Sequence, residues 1–307
     1  MPQLPPPIFA RLALVGFLCG AACTHALAES PATYQLRFKF SPGQELHYVT
    51  QNDAEYLVEH SQARQMIPHT SMNIRHIKVL SLNGDGSAEV ELMIDRARMT
   101  AKNEGVDSLY DSTDAAHVPT EFAGVHQSIG KPVPALLTAL GKVSPSTQDL
   151  TANVEQYDLM FQLPEQPVAI GETWKDNFEA SVQIDAKSKL NRTIKLQRRY
   201  ELQSIEHQIA TIKMVTVSLS PLSDPFQETQ LVQRKYNGTI KFDIDKGCLI
   251  DRQFKIDEKI VGNAGPGTAL TVQIIKVDRL VQADQLQQVD LTKPLVPVCE
   301  TYLPESK

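Results

Sequence analysis

Long apolar runs are missing from this chain. Apart from Leu12 to Cys23, about a dozen residues, no stretch comes near the roughly 20 apolar residues that a bilayer core demands. The mature protein is therefore expected to have no transmembrane helix. A large excess of charge is missing too: the formal charge of −6 disfavours nucleic acid as a partner and says little more. Helical periodicity is scarce. With 42% hydrophobic and 21% charged residues, the composition is that of an ordinary globular protein, with room for one large β domain or two smaller ones. Catalytic signatures are scarce as well. There is no Gly-x-Ser-x-Gly elbow and no Lys-Thr-Gly element, and Ser223-Asp224 continues into Pro225 instead of an asparagine.

What is present begins at the N-terminus. Arg11 supplies a positive charge, the apolar run follows, and Ala26-Leu27-Ala28 offers a small-x-small cleavage pattern. This predicts a signal peptide over residues 1–28, cleaved after Ala28, and a secreted or periplasmic protein. The alternative is a lipoprotein anchored through Cys23, because Gly20-Ala21-Ala22-Cys23 is similar to a lipidation site, though Gly20 stands where leucine is usual. Cleavage removes Cys19 and Cys23 and, with Arg11 gone, takes the charge from −6 to −7. Cys248 and Cys299 remain. In an oxidising compartment they are expected to form a disulfide that pins the proline-punctuated tail 293–307, and two unrelated buried thiols are the alternative.

Strand patterning dominates the rest. Tyr34, Leu36, Phe38 and Phe40 alternate with polar residues, and 45–56 returns after the turn Ser41-Pro42-Gly43-Gln44. Residues 70–82 lead through Asn83-Gly84-Asp85-Gly86, a hairpin turn, into Ala88, Val90, Leu92 and Ile94, whose neighbours Glu89, Glu91 and Asp95 are acidic. A loop is expected over 103–119 and a short helix over 120–129, while 133–143 reads as either strand or helix. Leu150, Val154, Tyr157 and Phe161 form one stripe of a helix at about 147–162, with Ser146 and Asp149 placed to cap it. That helix is expected to cover the concave face of a bent sheet.

The stretch from Leu163 to Phe178 reads as a seam. Pro164 and Pro167 bar regular structure, Gly171 permits a turn, and Trp174, the only tryptophan, follows. Beyond it Phe178, Ala180, Val182, Ile184, Leu190, Ile194, Leu196, Tyr200 and Leu202 share one parity. Strands at 205–219, 238–244, 248–261 and 268–281 complete the pattern. Both halves open with a glycine turn feeding an aromatic, Gly43 to Tyr48 and Gly171 to Trp174. The stretch from Gly130 to Gly141 rhymes with that from Gly238 to Gly247. The chain is thus expected to be mainly β: two curved antiparallel sheets, half-barrel-like repeats at 29–162 and 163–292, each with a short covering helix.

The motif Tyr34-x-Leu36-Arg37-Phe38-Lys39-Phe40-x-Pro42-Gly43-Gln44, the seam residues Leu163-Pro164, Pro167-Val168 and Gly171-Glu172-Thr173-Trp174, and Gly238, Phe242, Asp243 and Gly247 resemble an uncharacterised family of secreted bacterial proteins. The resemblance implies two half-barrels, similar to the sheet-over-helix half-barrels of envelope lipoprotein carriers. It supplies no catalytic residue.

Weak chemical motifs have bland explanations. His117, Glu121 and His126 lack the spacing that puts two imidazoles on one helix face. Ser128 and Lys131 match Ser-x-x-Lys without its companions. Gly265-Pro266-Gly267 has Leu270 where a dinucleotide fingerprint needs glycine, and Asp243 to Gly247 offers only the start of a calcium loop. The basic stretch Lys187, Lys189, Arg192, Lys195, Arg198 and Arg199 reads as a solvated strand face, with a headgroup or acidic polymer as the alternative. Trp174 reads as a core plug. No catalytic, cofactor or metal residue is assigned. The reading is a non-enzymatic protein that binds a lipophilic ligand or a partner segment in a concave sheet. The alternative is a structural or assembly component of the envelope, and a hydrolase is disfavoured.

Overall fold

Alternation of apolar and polar residues becomes, in the computed structural model, a set of long antiparallel strands. The structure describes residues 32–61, 63–103, 105–114, 116–145, 158–185, 190–222 and 224–297. In chain order the elements are β1 (Thr33–Tyr34), β2 (Glu45–His60), β3 (Ala63–Leu82), β4 (Ala88–Asn103), β5 (Val106–Asp111), α1 (Ala123–Ser128), β6 (Val133–Leu137), β7 (Val143–Pro145), β8 (Val168–Ala169), β9 (Thr173–Gln183), β10 (Asn191–Glu206), β11 (Ile209–Ser218), α2 (Pro225–Leu231), β12 (Asn237–Asp243), β13 (Cys248–Val261) and β14 (Thr268–Val281).

These strands form one 12-stranded sheet and one two-stranded sheet, both antiparallel. The large sheet runs β7-β6-β4-β3-β2-β14-β13-β12-β11-β10-β9, with β5 beside β4, and β1 pairs with β8. The strands expected in two separate sheets are thus joined in one. The join is β14 against β2, in register from Thr268 opposite His60 to Val281 opposite His47. Local patterning could not reveal this pairing, because it links segments some two hundred residues apart.

The sheet is strongly curled. Phe38 donates its amide to the Ala139 carbonyl just past β6, and the next residue, Lys39, donates to the Gly247 carbonyl just past β12. Six strand spacings of about 4.8 Å would hold those two strands roughly 29 Å apart in a flat sheet. Edge strands β7 and β9 do not pair with each other, so the curl stops short of a closed barrel. Two crossing segments, 33–40 and 158–169, fill the inside: Leu36, Phe38, Leu159, Phe161 and Leu163 are buried in one core with Tyr48, Ile77, Leu137, Tyr200, Ile212 and Phe242. Phe38 meets Phe161 and Phe242 edge-on at 5.5 and 5.2 Å, each contact contributing about 0.5–1.5 kcal/mol beyond burial.

Two glycines let these segments approach. A Cβ on Gly141 (φ +82°) would lie 2.0 Å from the Phe161 carbonyl oxygen, and one on Gly247 (φ +63°) 2.5 Å from the Lys39 amide nitrogen. Any side chain there would push the crossing segment off the sheet.

The hairpin at 83–86 forms as expected. Asp85 accepts from the Ser87 amide, and of the two glycines only Gly86 takes positive φ. The expected loop at 103–119 contains β5 instead, whose Tyr110 packs with Phe122 and Met99 beside α1, within the expected 120–129 helix. Of the expected helix at 147–162, residues 147–157 lie outside the described residues, as does its cap Ser146, and 158–162 form no helix. α2 puts Leu231 against Ala180, Val182, Ile194 and Leu196. The outer face of the sheet is covered in its centre by 283–297, where Leu286, Val289, Leu291 and Leu295 pack on Val49, Met72 and Ile74. Gln51 holds this tail by accepting from the Leu295 and Val296 amides and donating to the Val296 carbonyl. Cys248 is buried, and Cys299, its expected partner, lies outside the described residues.

Candidate functional site

The strands that build the inner core carry a few charged residues where the apolar parity calls for grease. On β14 the series Leu270, Val272, Ile274 continues as Lys276 and Asp278; on β13 Arg252 precedes Phe254 and Ile256, and on β3 Arg75 precedes Ile77. The charged residues meet inside. Asp278, fully buried, accepts from Thr50 Oγ1 at 2.7 Å, Arg75 Nη2 at 3.0 Å and Arg252 Nε at 2.9 Å. Asp158, from the second crossing segment, pairs with Arg75 at 3.1 Å and with Lys276, and its backbone carbonyl accepts from Arg252.

Burial alone would raise both carboxyl pKa values. It is outweighed at Asp158 by Lys276, Arg75 and Arg252, and at Asp278 by Arg252, Arg75 and Lys276, so both are held below the usual carboxylate range. Both stay ionised at neutral pH.

Above this cluster lies a cavity of about 330 Å³, near the lower end of the range for small-molecule sites. Met160, Phe161, Met214, Tyr236 and Phe254 give it an apolar wall. Asp158, with 31% of its side chain exposed, Arg252 and Lys276 form a charged base, and Arg198 pairs with Asp176 at 3.1 Å across the same space. Tyr200 also lines it, as do Lys142 and Gln162; burial pushes the Tyr200 phenol up to about 12, so it stays a neutral hydroxyl. Trp174 stacks on Tyr200 at 5.4 Å and donates its indole N–H to the Gln162 carbonyl, a core plug that backs the cavity. The lining includes no serine, cysteine or histidine.

Residues 105–249 match a family of unknown function, DUF6263. The match, just under half of the chain, takes in Asp158, Arg198 and Tyr200 and leaves out Arg75, Arg252, Lys276 and Asp278. It accords with the expected likeness to a family without an assigned activity and adds neither export nor internal repetition. No curated protein matches the chain.

Among solved structures, the chain is similar to lipovitellin, from work titled on its lipid–protein interactions, with a TM-score of 0.45 and 11% identity over 80% of this chain and 26% of that one. The chain therefore spans about a quarter of that protein. DynF from the dynemicin biosynthesis pathway of Micromonospora chersina gives a TM-score of 0.21 at 7% identity, covering 84% of this chain and 90% of that one. A DUF1329 family protein from Desulfovibrio piger gives 0.14 at 8%, covering 78% and 85%. These likenesses are too low to carry fold or function over.

The motifs weighed in the sequence do not assemble. His117 and Glu121 are exposed, while His126 sits 3.1 Å from the Tyr110 hydroxyl. Ser128 donates to the Val125 carbonyl one turn back. Asp243 caps the β12–β13 turn by accepting from the Lys246 amide, and 262–267 is the turn joining β13 to β14. Of the basic stretch, Lys187 and Lys189 lie outside the described residues, and Arg198 faces inward over the Phe178 ring at 4.2 Å. Arg75, Arg252, Lys276 and Asp278 were not singled out in the sequence. The signal that finds them is a charge on the greasy parity of a strand.

On the outer face a second group gathers across the neighbouring strands β2, β3 and β4. His47 lies opposite His76, and Asp95 reaches His76 Nδ1 at 2.8 Å. Among the described residues, His47, His76 and Asp95 are the one group of three that could share a metal ion.

Proposed function

We propose that the protein is an exported binding module that takes an amphiphilic ligand into the inner cavity. Its apolar part lies against Phe161, Met214 and Phe254, and its polar end faces Arg198, Tyr200 and the Asp158–Lys276 pair. The observation that carries this reading is the cavity itself: one apolar wall, one charged base, and no serine, cysteine or histidine among the lining residues. The small-x-small motif ending at Ala28 supports export, with anchoring through Cys23 as the variant. Among the described residues, no helix is long and apolar enough to cross a membrane. The likeness of Gly141 and Gly247, each receiving a crossing segment, supports descent from a duplicated half. A Cys248–Cys299 bond remains part of the proposal.

Native mass spectrometry of protein purified from its own envelope fraction tests this directly, together with titration of hexadecanoate or lysophosphatidylcholine followed by Trp174 fluorescence. The expected results are a retained ligand mass and a saturable signal that Met214→Phe, which fills the cavity, weakens at least tenfold. A bare protein together with a flat titration would overturn the proposal. A second reading, an envelope scaffold without cargo, draws on the crossing segments: Leu36, Phe38, Phe161 and Leu163 already fill most of the inner space.

A further inference from the structure

We propose that His47, His76 and Asp95 form a binding site for a borderline divalent cation of the zinc class on the outer face of the sheet, independent of the inner cavity. The topology separates the two places. Tyr48 and Ile77 point into the inner core, so their neighbours His47 and His76 point outward, on the side where Val49 and Ile74 meet the C-terminal tail.

Three observations converge on that face. First, His47 and His76 are directly opposite each other on β2 and β3, with ring centres 5.4 Å apart. Second, alternation along β4 places Asp95 on the histidines' face, and a β-bulge that pairs Ile74 with Arg96 and Arg75 with Ile94 leaves Asp95 as the extra residue, its carboxylate on His76. Third, only 11% of the His47 side chain is exposed, yet its Nδ1 is buried with no hydrogen-bond partner among the described residues. A bare buried imidazole nitrogen costs stability unless a ligand takes it.

One donor atom from each residue lies within 4.8 Å of the other two. A tetrahedral zinc ion with bonds near 2.0 Å would draw them to about 3.3 Å, which side-chain rotation supplies. Burial, and the neighbouring His76, keep His47 in the neutral form that binds metal. Glu45, whose Oε2 is 3.6 Å from His47 Nε2 and which pairs with Lys78, sits against the other ring nitrogen and steadies the ring so that Nδ1 is the one left for the ion. Two imidazoles with one carboxylate select zinc-like ions over the all-oxygen preference of calcium and magnesium.

Calorimetry with zinc sulfate alone on the full chain tests the site, with Co²⁺ absorption as a report of coordination. The expected result is one equivalent bound, with affinity reduced at least tenfold in His47→Gln and in Asp95→Asn, a tetrahedral Co²⁺ spectrum, and no response to Ca²⁺ or Mg²⁺. Circular dichroism melts without metal should leave both variants folded like the parent. Zinc binding that survives unchanged in both folded variants, or no zinc binding at all, would overturn the proposal. Equal affinity for Ca²⁺ would overturn the assignment to the zinc class.

Discussion

The two faces of the central strands carry two charged groups, and they are built on opposite plans. On the inside, Asp278 is surrounded by Thr50, Arg75 and Arg252, its charge matched and its oxygens occupied. On the outside, only a strand's width away, His47 keeps a buried nitrogen that no described group occupies, near the carboxylate of the bulge residue Asp95. The first arrangement is self-contained and holds the core in one geometry. The second is incomplete, and incompleteness in a buried polar group points to a ligand.

The sharpest way to break this contrast is to neutralise one carboxylate on each face. Asp278→Asn removes the fully buried counter-charge that Arg75 and Arg252 share, leaving them only the partly exposed Asp158, and is expected to cost about 3–5 kcal/mol in a urea melt, with zinc affinity unchanged in whatever fraction stays folded. Asp95→Asn is expected to cost no more than about 1 kcal/mol, because its ion pair with His76 is partly exposed. Equal costs would erase the distinction between the two groups.

A smaller effect is read in pH. Asp158 and Asp278 have folded pKa values below their unfolded ones, so their contribution is whole above about pH 4 and is lost as pH falls through the lowered values. His76 is shifted the other way, upward through its hydrogen bond to Asp95. Its contribution is whole below about pH 6.5 and disappears as pH rises through the raised value. His47, shifted down by burial and by His76, opposes it, and Glu45 and Lys78 face the same pair. The stability difference between the parent and Asp95→Asn, measured by chemical denaturation, should therefore shrink as pH rises above about 6.5.

The smallest expected change sharpens the comparison by widening the margin in which it is made. His207 and Gln208 both sit at positive φ, +50° and +64°, in the two-residue turn between β10 and β11. Replacing them with Asn and Gly, which suit that turn, is expected to add about 1 kcal/mol in the same melts, and no gain would mean that the turn is not strained. In that background Asp278→Asn has more stability to lose before it unfolds.

Much of the fold was legible because side-chain alternation is a local signal. The 83–86 hairpin, the parity from Phe178 to Val182 and from Ile194 to Leu202, and the helix near 123–128 all follow from residues within a few positions of one another, while Ile184 and Leu190 of the same parity lie exposed between β9 and β10. What was not legible is either unusual or remote. The His207-Gln208 turn lacks the glycine that advertises such a turn, and β5 is a short strand within a polar stretch. The β14–β2 pairing joins segments whose patterns say nothing about each other. The inner cluster was half legible, since Lys276 and Asp278 interrupt an apolar face in plain view. Asp95 reads correctly as an outward acid, but the register that brings His47 and His76 beside it joins three strands and was not legible.

The placement of β14 has a consequence for how the molecule is made. Its last long strand is a central slat, held between β13 and β2. Until residue 281 has been synthesised, the chain exposes two raw strand edges that can only be satisfied by each other's missing neighbour, and such edges invite pairing with other chains. A chain ending before Thr268 would therefore be two incompatible fragments rather than a smaller version of the protein. Its passage from ribosome to finished sheet depends on keeping those edges apart from strangers until the final strand arrives.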